Sequence, residues 1–195
     1  MSKSDANTPK KERNKTIRWV ITIFFVTIII SGTISFTSDL LMANSTMLVA
    51  FIILLVIVLI GIIFDVIGVA VTSADEKPFH SMAARKVPGA QESIRLLRNA
   101  ERVSSICNDV VGDICGVVSG SASATIAAQI LKNFEFSVES IIPLLMSALG
   151  AGLTVGGKAI GKTFAMNSCT SIVHGVGKIV WAFHHLPQMI KKRKK

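Results

Sequence analysis

Met47–Phe64 contains no polar side chain, and an aspartate, Asp65, follows it directly inside a longer apolar run that ends at Ser73. A run of this kind is too long for a strand or a globular core helix and matches the roughly 20 apolar residues that a spanning helix needs. Three more stretches qualify, so the sequence predicts spans at about 17–36, 46–73, 103–131 and 138–157. Asp109 and Asp113 lie inside the third. An ionised carboxylate near the middle of a bilayer costs roughly 2.5–3.5 kcal/mol on insertion scales. Such groups need a partner: an internal cation, a water-filled cavity, a proton or a bound ion. The expected fold class is all-α, a polytopic membrane protein with four transmembrane helices and two interfacial amphipathic helices.

The basic residues give the expected orientation. Of 21 Lys and Arg, only Lys132 falls in an outer loop when Lys158 and Lys162 are counted with the inner side. The rest cluster before the first span, in the loop after the second, and from the end of the fourth onward. Basic residues in short flanking loops stay on the cytoplasmic side. The expectation is therefore a multi-pass protein of the plasma (inner) membrane with both termini cytoplasmic. The net charge of +9 follows from this topology; it is split between membrane flanks without aromatic interleaving, which argues against nucleic acid. The first apolar run is too long for a signal-peptide core and lacks a small-residue cleavage pattern, so it reads as a retained anchor. Cys107, Cys115 and Cys169 have no metal-ligand spacing, and an odd number argues against a disulfide framework.

Between the spans, residues 1–16 read as a disordered basic tail. Residues 17–165 form the transmembrane domain, including a juxtamembrane loop at 75–102 punctuated by Pro78 and Pro88-Gly89. Phe79–Lys86 reads as a short helix. In Ala90–Val103, Ala90, Ile94, Leu97 and Ala100 share a helical face among charged neighbours, the pattern of a helix lying in the membrane interface or of a solvated linker helix. Residues 166–195 repeat the design: Val173, Val176, Ile179, Val180 and Phe183 form an apolar stripe ahead of five consecutive basic residues suited to anionic lipids. His184-His185 read as a solvated interfacial pair, since adjacent histidines diverge on a helix.

Inside the membrane, three spans each carry a small and polar face. The second has Gly61, Asp65, Gly68 and Thr72. The third has Asp109, Asp113, Gly116 and Gly120, with Asn108, Gly112 and Ser119 beside them. The fourth has Gly150, Thr154, Gly157, Lys158 and Gly161. Small residues let helices approach closely in lipid, so these faces are expected to meet. Counting about 1.5 Å of rise per residue puts Asp65, Asp109, Asp113 and Lys158 all in the inner half of the bilayer. Two outcomes stay open. Lys158 pairs with one carboxylate in a purely structural polar cluster, or Asp65, Asp109 and Asp113, helped by Asn108, hold a metal or alkali ion with Lys158 as counter-charge. An all-oxygen set suits a hard ion such as Mg²⁺ or Na⁺. No other cofactor is expected, and the absence of GxSxG and HExxH motifs gives no sign of an enzyme.

Phe64–Ser73 (FDVIGVAVTS), Arg85–Leu97 (RKVPGAQESIRLL), Ala100–Ser105 (AERVSS) and Gly156–Ala165 (GGKAIGKTFA) together resemble motifs of the CNNM/CorC-type (CorB-like) transmembrane-domain family, over about residues 55–180. The resemblance implies three core spans, a juxtamembrane belt, a homodimer, and transport of divalent cations, chiefly Mg²⁺, with Na⁺ coupling. The family's small polar ligand residue falls at Asp65 and its glutamate at Gly68. The glutamate of the last motif falls at Lys158 and its proline at Gly161. An extra span precedes the core, and the CBS pair that follows it in the family is lacking. The alternative to a transporter is a non-transporting membrane scaffold or regulatory subunit in which a Lys-Asp cluster replaces the ion.

Overall fold

In a computed structural model the chain is all-α. The structure describes residues 8–43, 46–133 and 141–192, with side-chain surroundings for 17–38, 40–42, 46–131 and 141–185. The elements are α1 (Thr8–Ala43), α2 (Met47–Ser73), α3 (Lys77–Ala84), α4 (Ala90–Arg98), α5 (Ala100–Ser105), a π-helical segment (Ile106–Gly112), α6 (Asp113–Asn133), α7 (Ile141–Asn167) and α8 (Cys169–Lys192). Four helical stretches, Ile17–Met42, Met47–Ser73, Ala100–Leu131 and Ile141–Asn167, are long and apolar enough to cross a membrane. They support a multi-pass membrane protein. Large apolar side chains such as Ile29, Leu48, Leu144 and Ile160 are exposed on them, an arrangement that suits acyl chains and not water.

Several boundaries differ from the sequence expectation. Helix α1 already includes residues 8–16, expected as part of a disordered tail, and runs on through Thr37–Ala43, past the expected end of the first span at about residue 36. Neither Gly nor Pro occurs within Thr37–Ala43. Thr33 and Thr37 donate their hydroxyls back to the carbonyls of Ile29 and Thr33, at 2.7 and 2.8 Å, and so stay satisfied within the helix. The expected starts of the tail (1–7) and of the fourth span (138–140) lie outside the described residues, as do 193–195. Helix α7 continues past Gly157 to Asn167 because Gly157 and Gly161 lie flush on Ile62 and Val66 of α2, where packing outweighs the weak helix propensity of glycine. The amphipathic segment 90–103 is not one helix. Asn99 breaks it: its Nδ2 donates to the Arg95 carbonyl (2.9 Å), ending α4, and its own carbonyl accepts from Val103 N (3.0 Å), starting α5.

Helices α2, α6 and α7 pack on one another, and α1 lies at the periphery against α6. At one end of this bundle Met42, Ala50, Leu54, Val58, Ala122 and Ile126 form a buried apolar cluster. At the other end α3, α4 and α8 form a belt on the ends of α2 and α7, with Ala70, Val71, Phe79, Leu97, Ala165 and Val173 as its core. The belt has one close crossing. Gly89, with φ +84°, takes a left-handed conformation that favours glycine, and a Cβ there would come within 2.6 Å of the Lys178 backbone. Ser93, fully buried, shares its hydroxyl proton between the carbonyls of Gly89 (2.9 Å) and Val173 (3.2 Å), while Gly177 leaves room for that hydroxyl. Helix α8 therefore packs closely on α4 as well as on α2, and its outward face shows Ile179 and Phe183, 58% and 70% exposed.

Candidate functional site

The register of the bundle brings one ionic group from each of two helices to one level. Gly68 of α2 faces the Asn108 carboxamide, and Gly61 faces Cys115, so α2 runs antiparallel to the third span with Asp65 beside Gly112. On the opposite flank Gly157 meets Ile62 and Gly161 meets Val66, which sets Lys158 roughly two residues, or about 3 Å, from the level of Asp65. The lysine covers that difference with its side chain. Its Nζ stands 3.9 Å from Asp65 Oδ1 and directly over Gly112, where a Cβ would approach the ammonium to 3.3 Å. Gly112 is thus the notch that admits the charge.

Asp65 is only 4% exposed, so its charge is removed from water and depends on local partners. The distance to Lys158 is longer than the roughly 2.7–2.9 Å of a charge-assisted hydrogen bond. The pair is therefore held by Coulomb attraction alone. Asp65 Oδ2 has no hydrogen-bond partner among the described residues, and neither has Asn108 Oδ1; both atoms are buried. The amide nitrogen of Asn108 is engaged: it donates to Ser104 Oγ at 3.2 Å. Two buried oxygen acceptors, one a carboxylate and one a carbonyl, thus stand on facing spans, the carbonyl directly opposite Gly68. Buried acceptors without donors are costly and uncommon, and they mark places where a cation, a proton donor or water belongs.

The backbone around Asn108 is unusual in the same place. Ile106–Gly112 is π-helical, a wider turn with hydrogen bonds to the fifth residue that concentrates at functional sites. It turns Cys107, Val110 and Gly112 inward and continues into the buried face Ile114, Cys115, Val118, Ser119 and Ala122 of α6. Asp109 and Asp113 consequently fall on the exposed side. Asp109 accepts a hydrogen bond from Ser105 Oγ at 2.8 Å, a contact within its own helix.

This corrects the expectation of a three-aspartate metal site. Asp109 and Asp113 are not gathered with Asp65, and among the described residues no three His, Cys, Asp or Glu side chains come together at metal-holding separation. The small and polar face of the third span that meets α2 is the adjacent one, Asn108, Gly112 and Cys115, about 100° round the helix. Of the glycines expected to pack, Gly61, Gly68, Gly112, Gly150, Gly157 and Gly161 all face a neighbouring side chain, Gly150 lying where a Cβ would be 2.6 Å from Ser123 Oγ. Gly116 does not, having open space around it. Ser104 is the residue that the sequence reading missed; its i, i+4 spacing to Asn108 was the available signal. His184 is exposed, and His185 stacks on Trp181 with centroids 4.5 Å apart while donating from Nδ1 to the Trp181 carbonyl, so the two rings do not converge.

Compared with known proteins, the chain matches no family model, and no curated protein or solved structure matches it significantly.

Proposed function

We propose that the chain is a small cation-handling membrane protein, a transporter or a transporter-like protein, whose ion-contacting centre is Asp65 with Asn108. The observation that carries this reading is the pair of buried, partnerless oxygen acceptors, Asp65 Oδ2 and Asn108 Oδ1, on two facing spans. Oxygen donors of this kind suit a hard cation. With Lys158 beside Asp65 the formal charges of the pair cancel, so a bound cation is balanced only once the ammonium withdraws, and the single carboxylate then suits a monovalent ion of the Na⁺ type better than Mg²⁺, which favours additional carboxylates. The Mg²⁺-type activity expected from the family resemblance requires the lysine to leave. Anionic lipids are the proposed surroundings of α8, where Lys178 lies next to the exposed Ile179.

The test is ion flux and ion binding by purified protein. In proteoliposomes the chain is expected to move Na⁺ or Mg²⁺, and Asp65→Asn is expected to abolish the movement. In detergent, the same cation raises the thermal midpoint of the wild-type protein and not of Asp65→Asn. Absence of both flux and cation-dependent stabilisation would refute the reading.

A second reading rests on the Lys158–Asp65 pair itself. A protein that carries its own cation needs no mobile one, and the chain would then act as a membrane scaffold or regulatory subunit. It predicts no flux and no cation effect in the wild type, together with a large loss of stability on removal of Lys158.

A further inference from the structure

Lys158 holds its position by charge alone. No hydrogen bond of its ammonium is present among the described residues; its approach to Asp65 stops at 3.9 Å, and it engages Oδ1 while Oδ2 stays without a partner. Its side chain is 22% exposed, so the flexible four-carbon stem has a way out of the site. The notch at Gly112 fits the ammonium closely enough that a single methyl group would crowd it. These features describe a cation that can be exchanged for another.

We propose that Lys158 is a tethered competitor for the ion site: its ammonium neutralises Asp65 in the resting protein, and a mobile cation reaches Asp65 Oδ2 and Asn108 Oδ1 in exchange for it. The inference rests on the cation reading of Asp65 and Asn108. It makes cation affinity a balance between two positive charges at one carboxylate. Occupancy by the free ion repels the lysine, and the lysine sets how much ion is needed. It also gives the charge-neutral resting state that a membrane interior favours, and it leaves one net negative charge for the ion once the ammonium has withdrawn.

The experiment titrates full-length protein in detergent with NaCl, and separately with MgCl₂, at ionic strength held constant with choline chloride. The thermal midpoint is followed for the wild type, Lys158→Gln, Gly112→Ala and Asp65→Asn. Removing a like charge next to a binding site is expected to tighten cation binding by at least about tenfold. Lys158→Gln should therefore be stabilised at ten or more times lower cation concentration than the wild type, and the effect should vanish in Lys158→Gln combined with Asp65→Asn. Gly112→Ala displaces the ammonium by crowding without removing a charge, and it should shift the titration in the same direction. It keeps the test open if Lys158→Gln does not fold. If the wild type responds to cation through Asp65 while both variants bind equally or more weakly, the competitor role is overturned and the ion site stands. If neither the wild type nor the variants respond to any cation, the ion site itself falls.

Discussion

The two ends of the bundle are built from the same three helices and reach opposite solutions. Away from the belt, α2 and α6 meet through Ala50, Leu54, Val58, Ala122 and Ile126, closed by Met42 of α1, and Gln129 Nε2 donates to the Met42 carbonyl at 3.0 Å. Every polar group named at that end has its partner. Nearer the belt the same helices meet through Gly68, Asn108, Gly112, Asp65 and Lys158, with two acceptors left without donors and an ion pair too long for a hydrogen bond. The first end is packed for stability. The second departs from helical regularity, leaves polar groups unsatisfied and confines a charge, features that a protein retains where a function requires them.

The contrast can be broken by substitutions at each end. The largest effect is expected at Lys158. In the absence of added cation, Lys158→Met leaves Asp65 buried without a counter-charge and should cost about 3–5 kcal/mol. Replacing both partners, Asp65→Leu with Lys158→Met, should recover most of that loss, because an apolar pair of similar volume carries no desolvation penalty. Reversible unfolding in mixed micelles measures both. A double variant as unstable as the single one would show that the pair is not the unit proposed.

At the apolar end, Ile126→Ala removes a fully buried side chain and should cost about 2–5 kcal/mol. The expected difference lies in function: flux through proteoliposomes should survive at temperatures where the variant stays folded, whereas Asp65→Asn loses flux while it remains folded. If Ile126→Ala abolished flux in the folded protein, the division of labour between the two ends would be wrong.

A smaller effect is expected in the belt. His174 has its imidazole below the ordinary value of 6.5, because burial disfavours the charged ring and the Lys178 charge adds to this. The unfolded chain then binds a proton more readily than the folded one. Belt stability is complete above about pH 6.5 and falls as the pH drops from there toward the depressed folded value. Protection factors of the α4 and α8 amides, taken relative to the intrinsic exchange rate at each pH, should therefore fall on acidification, and His174→Phe should flatten that dependence. No change between pH 7.5 and 5.5 in the wild type would contradict it.

The smallest effect is expected at the exposed acids. Asp109→Asn and Asp113→Asn change carboxylates on the exposed side of the third span, away from the Asp65 site, and should leave the cation response unaltered. A loss of the cation response in either variant would restore a multi-carboxylate site and sharpen the comparison in the opposite direction.

Much of the architecture was legible in the residues. The apolar run before Asp65 demanded a span, Pro88-Gly89 marked the turn into α4, and the small residues of α2 and α7 announced close contact. The pairing of Lys158 with a carboxylate was also among the open expectations. The choice of carboxylate was not legible. Asn108 and Asp109 are neighbours in sequence and point about 100° apart on a helix, so two adjacent faces of the third span were both small and polar. The cost of a charge in lipid argued for burying the acids, and the fold buried the amide.

Composition alone determined that the chain forms long apolar helices, because an uninterrupted run of that hydropathy has no stable place in water. It determined, too, that charges inside those helices favour compensation, because a carboxylate in hydrocarbon costs about 2.5–3.5 kcal/mol on its own. Only the tertiary structure decided which acid receives the compensation. The π-helical segment rotates the third span, Gly68 and Gly112 open the space for Asn108 and for the ammonium, and the alignment of α2 with α7 sets Lys158 beside Asp65. Each of these depends on contacts between residues far apart in the chain, and a local pattern carries no information about such contacts.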